Sequence, residues 1–436
     1  MSDHGARPPR ESLVRAIGTL GLAAGIINIT IGGGIFRLPA LVAGSLGAAA
    51  PLAYLVCAVA MSLIVLCIAD AGSRVPLTGG PYAYVGTAFG PYAGFLSGVL
   101  LWLIGIFATA AVSTVFASGL GLLIPTLAGR PMQVLVLVAV FAFWSLVNLR
   151  GVTLGTRLNV VATAAKLLPL LLVVIGGAFA VDPTNLRTTA APAASDVARM
   201  SLLLIFAFAG IEVALVPSGE VRDTARTVPR AVALAMIGIT TLYIALQVVS
   251  QGVLGSRLAQ AEVSPLADVA RAALGGWAGT VLLAGASISM FGYLGGMTLS
   301  MPRMLFALAR DGFLPRPLAA VHPVYRSPHV AIVAQSAITL GFALTGTFER
   351  LAILANVSVL ALYLGCALAS WRLRRLGIEG GGRGTAFRVP FASVTPWLAC
   401  AVIAWLLTGL TASEWLGFAV CVTVASLPYF VARRSS

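Results

Sequence analysis

Long apolar runs set the first constraint on this chain. It has 436 residues, of which 59% are hydrophobic and only 10% are charged. A soluble domain devotes about 25% of its residues to Asp, Glu, Lys and Arg, and a fold of this size could not cover its surface in water with fewer than half that share. The chain therefore reads as an all-α, polytopic membrane protein. Twelve stretches approach the roughly 20 apolar residues a helix needs to cross hydrocarbon. They are 13–45, 50–73, 92–124, 132–149, 153–181, 198–218, 229–254, 274–300, 328–346, 350–371, 391–411 and 413–432. Twelve spans put both termini on one side.

The formal net charge of +14 suggests a nucleic-acid partner only until the basic residues are placed. They are scattered between apolar runs and form no basic stripe, so no nucleic-acid partner is expected. With the tails and every second loop assigned to one face, 20 arginines fall there and six on the other; Arg37 and Lys166, the sole lysine, lie within spans. That asymmetry predicts cytoplasmic termini in a cell membrane. Residues 1–15 carry no cleavable signal pattern. The five cysteines, Cys57, Cys67, Cys366, Cys400 and Cys421, all lie in apolar stretches and read as small hydrophobes. The three histidines, His4, His322 and His329, lie outside the apolar runs. No metal, no cofactor and no enzymatic constellation is expected.

Two spans are interrupted alike. The first holds Gly32-Gly33-Gly34 between apolar halves, then Pro39; the sixth holds Phe208-Ala209-Gly210-Ile211-Glu212, then Pro217. Breaks five spans apart, in opposite orientation, point to an inverted-repeat transporter with a site at mid-membrane. Glycine and proline are also simply common in membrane helices. The pairs Gly94/Gly98 and Gly292/Gly296 have the small-xxx-small spacing of helix packing. Asn28-Ile-Thr30 and Asn356-Val-Ser358 match the glycosylation pattern but lie within spans and are set aside.

A break frees backbone groups that hydrocarbon cannot satisfy, so it is tolerated where a cavity or ligand uses them. Amides of Gly32–Gly34, opening the second half-helix, form an electropositive end suited to a carboxylate. Carbonyls near Thr30 and Ile31, joined by those from Phe206 through Ala207 to Ala209 with Gly210 at the turn, suit a cationic group. Anion-binding amides beside cation-binding carbonyls match a zwitterion, of which an amino acid is the simplest. Glu212 is the only acid clearly inside span six. Its charge is costly at that depth, and so it is suited to take up and release protons, or else is a structural acid held by freed amides. Lys166, in span five, is likewise costly, too far from the span end for easy snorkelling and a proton-coupling candidate. Arg37 lies one turn into the outer half of span one, to attract carboxylates or to snorkel. Asp70 and Arg74 end span two, as inner-gate ion pairs with Glu220, Arg222 and Asp223 or as solvated loop charges.

The segment Ile31-Gly-Gly-Gly-Ile-Phe-Arg-Leu-Pro39 resembles the first-helix signature of the amino acid–polyamine–organocation superfamily. Phe206-Ala-Phe-Ala-Gly-Ile-Glu212, with Pro217 through Asp223 and Thr227-Val-Pro-Arg230, resembles its sixth-helix signature. Ala69 through Arg74 and Gly79 through Gly90 are similar to the segment after helix two, and Arg303 through Pro315 to that after helix eight. The resemblance covers roughly residues 15–375. It implies the leucine-transporter fold, a 5+5 inverted repeat with helices 1 and 6 broken, plus two peripheral helices. It also implies that Phe206 closes over the substrate, that the position of Glu212 is linked to proton sensing, and that the Lys166 ammonium stands in the place of a sodium ion beside the first break.

The expected organisation is a cytoplasmic tail (1–12), a first five-helix repeat (13–181), a second, inverted one (198–371), a cytoplasmic basic loop (372–390) and helices 11–12 with the C-terminal tail (391–436). The expected function is secondary transport of amino acids, neutral ones favoured, by alternating access. It would be proton-coupled and sodium-independent, with the substrate, protons and the lipid bilayer as partners. The alternative is an amino acid/polyamine antiporter for basic substrates.

Overall fold

The structure, a computed structural model, describes residues 18–75, 80–150, 155–188, 191–211, 224–261, 263–378, 389 and 391–434. Among these, all regular structure is helical. The first apolar run forms α1 (Thr19–Thr30), a 3-10 turn (Gly33–Phe36) and α2 (Leu38–Leu46). Then come α3 (Ala50–Arg74), α4 (Pro81–Phe89), α5 (Pro91–Leu123), α6 (Arg130–Arg150), α7 (Gly155–Gly177) and α8 (Ala194–Phe208). The chain continues with α9 (Thr224–Leu254), α10 (Pro265–Leu274), α11 (Gly276–Arg310), α12 (His329–Thr345) and α13 (Phe348–Arg375), and closes with α14 (Thr395–Leu407) and α15 (Ala412–Arg434).

Helix boundaries follow local chemistry. At the α4–α5 joint, Gly90 sits at φ 96°, where a side chain would be strained, and Pro91 opens α5 at a position where its missing N–H costs nothing. Two short helices, α4 and all of α10 but its last residue, lie outside the twelve expected stretches: at 9 and 10 residues they are too short to cross hydrocarbon. α13 runs on through Arg372, Arg374 and Arg375, into the stretch read as the start of the basic loop.

Among the described residues six helical segments are long and apolar enough to span by themselves; counting α14 and α15 as one span bent by 117° makes seven. α1 falls short by itself: its 12 residues cover about 18 Å, against roughly 30 Å of hydrocarbon. Apolar side chains line the outside as well as the core. On α6, Leu135, Phe143 and Leu146 are about half exposed, an apolar outer face suited to a lipid surround. Of the six spans, α5 and α13 are the most enclosed, and they pack along each other. α5 also meets α11 and α4, and α9 packs against both α1 and α3.

Small residues set the closest approaches. A methyl on Gly94 would lie 3.0 Å from Gly86 Cα, and one on Gly98 would lie 3.1 Å from Leu308, as the small-xxx-small spacing predicts. The second pair differs. Gly296 faces open space, and the tight approach is one residue earlier, where a methyl on Gly295 would fall 2.6 Å from the Trp144 ring.

Polar groups at the helix ends are tied to one another. Arg199 of α8 pairs bidentately with Glu414 of α15 at 2.9 and 3.0 Å and donates to the Gly409 carbonyl, fastening the last two helices to the sixth apolar stretch. In the turn after α7, the Thr184 hydroxyl and amide donate to the Asp182 carboxylate and hold it below the usual range.

Candidate functional site

The two interruptions meet. α1 ends at Thr30, where Ile31 (φ −72°, ψ 85°) turns the chain and the Gly32 amide donates back to the Thr30 carbonyl at 2.8 Å. This is an inverse γ-turn. It corrects one expectation: the Gly32 amide is used within the break, so the 3-10 turn opens on the amides of Gly33 and Gly34, which precede its first i→i+3 hydrogen bond. α8 ends at Phe208, and Gly210 follows at φ 111°. A methyl on Gly210 would lie 3.0 Å from Ile29 Cγ2, so the second break rests on the last turn of α1. Only glycine combines that dihedral with that approach.

Between the breaks lies a cavity of about 100 Å³. Its wall includes Ile29, Thr30, Gly32, Gly33 and Gly34 from the first break and Phe206, Ala209 and Gly210 from the second. The rest comes from α5, α11 and α13 and is mostly apolar, with Tyr293 and Asn356 as polar members. Among the described residues no charged side chain lines it. Of the residues expected at the site, Ile31 and Ala207 are buried behind this wall rather than in it. Phe206 packs edge-on against Phe348 (centroids 5.5 Å apart) and over Gly34, where an added methyl would fall 2.7 Å from its ring. The Arg37 guanidinium sits 5.7 Å from the same Phe348 ring, so it is bound into this aromatic group.

Sequence reasoning missed Tyr243 of α9. Its buried hydroxyl donates to the Ala207 carbonyl at 2.9 Å and lies 3.5 Å from the Thr30 carbonyl, bridging the two breaks. The Ala207 carbonyl thus keeps one lone pair, while the Thr30 carbonyl already takes the Gly32 amide and faces the Tyr243 hydroxyl. Asn356 was missed as well. Its Nδ2 donates to the carbonyls of Leu202 and Leu203 at 2.8 and 3.2 Å, while its buried Oδ1 and the buried Thr30 hydroxyl have no partner among the described residues. An asparagine deep in an apolar run was itself the available signal.

Lys166 is 7% exposed, and its ammonium donates to the Asn28 carbonyl in the last turn of α1. That carbonyl is among the four a helix leaves without an internal partner at its end. The lysine of α7 therefore touches the first break. Glu212, Pro217, Glu220, Arg222 and Asp223 lie outside the described residues.

Asp70 and Arg74 stand at one end of the bundle, away from the cavity. Asp70 is fully buried and accepts from Arg74 Nε (3.2 Å), Arg374 Nε (2.9 Å) and the Ser370 hydroxyl (2.7 Å). The cluster locks α3 to α13. Removing one side of a buried ion pair costs about 3–5 kcal/mol. Asp70→Asn is therefore expected to lower the thermal unfolding midpoint in detergent by several degrees; an unchanged midpoint would mean that the cluster adds no stability.

Comparison with known proteins gives a consistent answer. Residues 17–413 match the sequence model of a family described as amino acid permease. The chain is 28% identical over 446 residues to the methylthioribose transporter of Bacillus subtilis (strain 168), covering 98% of this chain and 95% of that one. It is 26% identical over 445 residues to the serine/threonine exchanger of the same organism, with 97% and 98% covered. Its identity to that organism's branched-chain amino acid permease is 25% over 445 residues, with 97% and 94% covered.

Proposed function

The chain belongs to the amino acid permease family, and from that premise we propose that it carries amino acids across the cell membrane by alternating access, with neutral amino acids as its substrates. The observation that carries this reading is the cavity walled by both helix breaks. In this reading the substrate carboxylate meets the amides of Gly33 and Gly34, and its ammonium meets the carbonyls left by the ends of α1 and α8, near Thr30 and Ala209. The absence of a charged side chain among the described lining residues favours a solute with no net charge over a basic one, since a buried cation would need a partner. Phe206 covers the cavity from the Phe348 side.

The proposed architecture is the twelve-span 5+5 inverted repeat with cytoplasmic termini, α1/α2 and α8 supplying the broken helices and α14 and α15 the peripheral pair. Lys166 is the coupling residue. A fixed ammonium at the end of α1 occupies the position a sodium ion would otherwise hold, so transport is driven by protons, with Glu212 as a second proton-binding group. The Asp70–Arg74–Arg374 cluster closes the cytoplasmic side. The serine/threonine exchanger and branched-chain amino acid permease among its relatives support a neutral substrate.

The test is uptake of radiolabelled amino acids into proteoliposomes under an imposed pH gradient. Saturable uptake of neutral amino acids, indifferent to sodium, is expected. Uptake of none of the amino acids or amines tested, under any gradient, would refute the function.

A further inference from the structure

The cavity wall holds a polar atom that neither break explains. Asn356 belongs to α13, which is continuous from Phe348 to Arg375 and frees no backbone group beside the cavity. Its side chain is 1% exposed, and its Nδ2 donates to the carbonyls of Leu202 and Leu203. Those two acceptors fix which end of the amide is nitrogen. The oxygen is therefore presented in one orientation, on a residue that lines the cavity, and it has no donor among the described residues. A buried amide oxygen with no donor is a costly arrangement, and a ligand is one standard reason to retain it. Its neighbours on the wall from α13, Ala355 and Val359, offer it nothing.

We propose that Asn356 reads the substrate's side chain, and that the cavity is built for amino acids whose side chain ends in a hydrogen-bond donor, above all a hydroxyl. This rests on the reading of the cavity as the amino acid site. Both poles of a zwitterion are taken up by the breaks on α1/α2 and α8, so an acceptor carried by an unbroken helix faces what remains of the solute. A site that hydrogen-bonds a substrate hydroxyl rejects the analogue lacking it, because the buried acceptor is then left unpaired.

Threonine and valine are nearly the same shape and differ in that hydroxyl, so they form the direct test. In competition for uptake into proteoliposomes, wild-type protein should prefer threonine over valine by at least tenfold. In Asn356→Ala the ratio should fall to within about twofold of one, through weaker threonine binding with valine unaffected. A role confined to holding α13 against α8 would lower both solutes equally and leave the ratio unchanged, which would overturn the proposal. So would a wild-type ratio near one or in favour of valine, a measurement that needs no variant. In each of those cases amino acids are still transported and the permease reading stands; if no amino acid competes at all, the reading beneath the proposal has failed as well.

Discussion

Replacing Gly33 with valine is expected to lower substrate affinity at least tenfold while leaving the protein folded. Gly33 is buried in the 3-10 turn between the halves of the first broken helix. A methyl there would lie 2.9 Å from Val112 Cγ1 and 3.4 Å from Met290 Cγ. Valine adds two further carbons, and overpacking of this kind costs about 1–3 kcal/mol. The bulk also enters the cavity wall, beside the Gly33 and Gly34 amides proposed to meet the substrate carboxylate. Gly32 supplies the contrast. Its backbone (φ −102°) suits any residue, and an added methyl would meet only the Thr30 carbonyl, at 3.9 Å. Gly32→Ala should therefore bind within a few-fold of wild type. Binding is measured by substrate-induced shifts of the melting temperature in detergent; the reverse order of the two variants would contradict this account of the break.

Lys166→Ala is the second large effect. Proton-driven uptake is expected to fall at least tenfold, and the residual flux should no longer respond to an imposed pH gradient. The ammonium donates to the Asn28 carbonyl, so its removal leaves that carbonyl without its donor and takes the fixed positive charge from the end of α1. A variant that transports at wild-type rate with unchanged pH dependence would exclude Lys166 from coupling. A variant that binds substrate normally but has lost the gradient response would separate coupling from structure, and that is the result expected.

Features carried by local sequence were legible before the structure. The triple glycine at 32–34 and the Ala209-Gly210 turn mark both interruptions because hydrocarbon makes broken backbone rare. Lys166 was conspicuous because a lone ammonium in an apolar run needs a reason. Features made by long-range contact were not legible. Tyr243 bridges carbonyls 36 and 213 positions away, and Arg374 reaches Asp70 across 304. No spacing rule links such partners. Asp70 and Arg74 were seen as gate residues, yet their partner on α13 emerged only from the packing. Asn356 was set aside within a glycosylation pattern, although its burial in an apolar helix was the more telling fact. The Gly32 amide was assigned to a ligand because the tight turn at Ile31, which captures it, depends on dihedrals the sequence does not state. α4 and α10 escaped because a search for twenty apolar residues passes over a ten-residue helix.

The central claim is that an amino acid sits between the two helix breaks. A density map of the protein in lipid nanodiscs with a transported amino acid tests it most directly. The account predicts density for a small solute against residues 30–34 and 206–210, with its carboxylate toward Gly33 and Gly34. A map in which this cavity is empty and the solute lies elsewhere, or in which α1 and α8 continue unbroken through these residues, would contradict it.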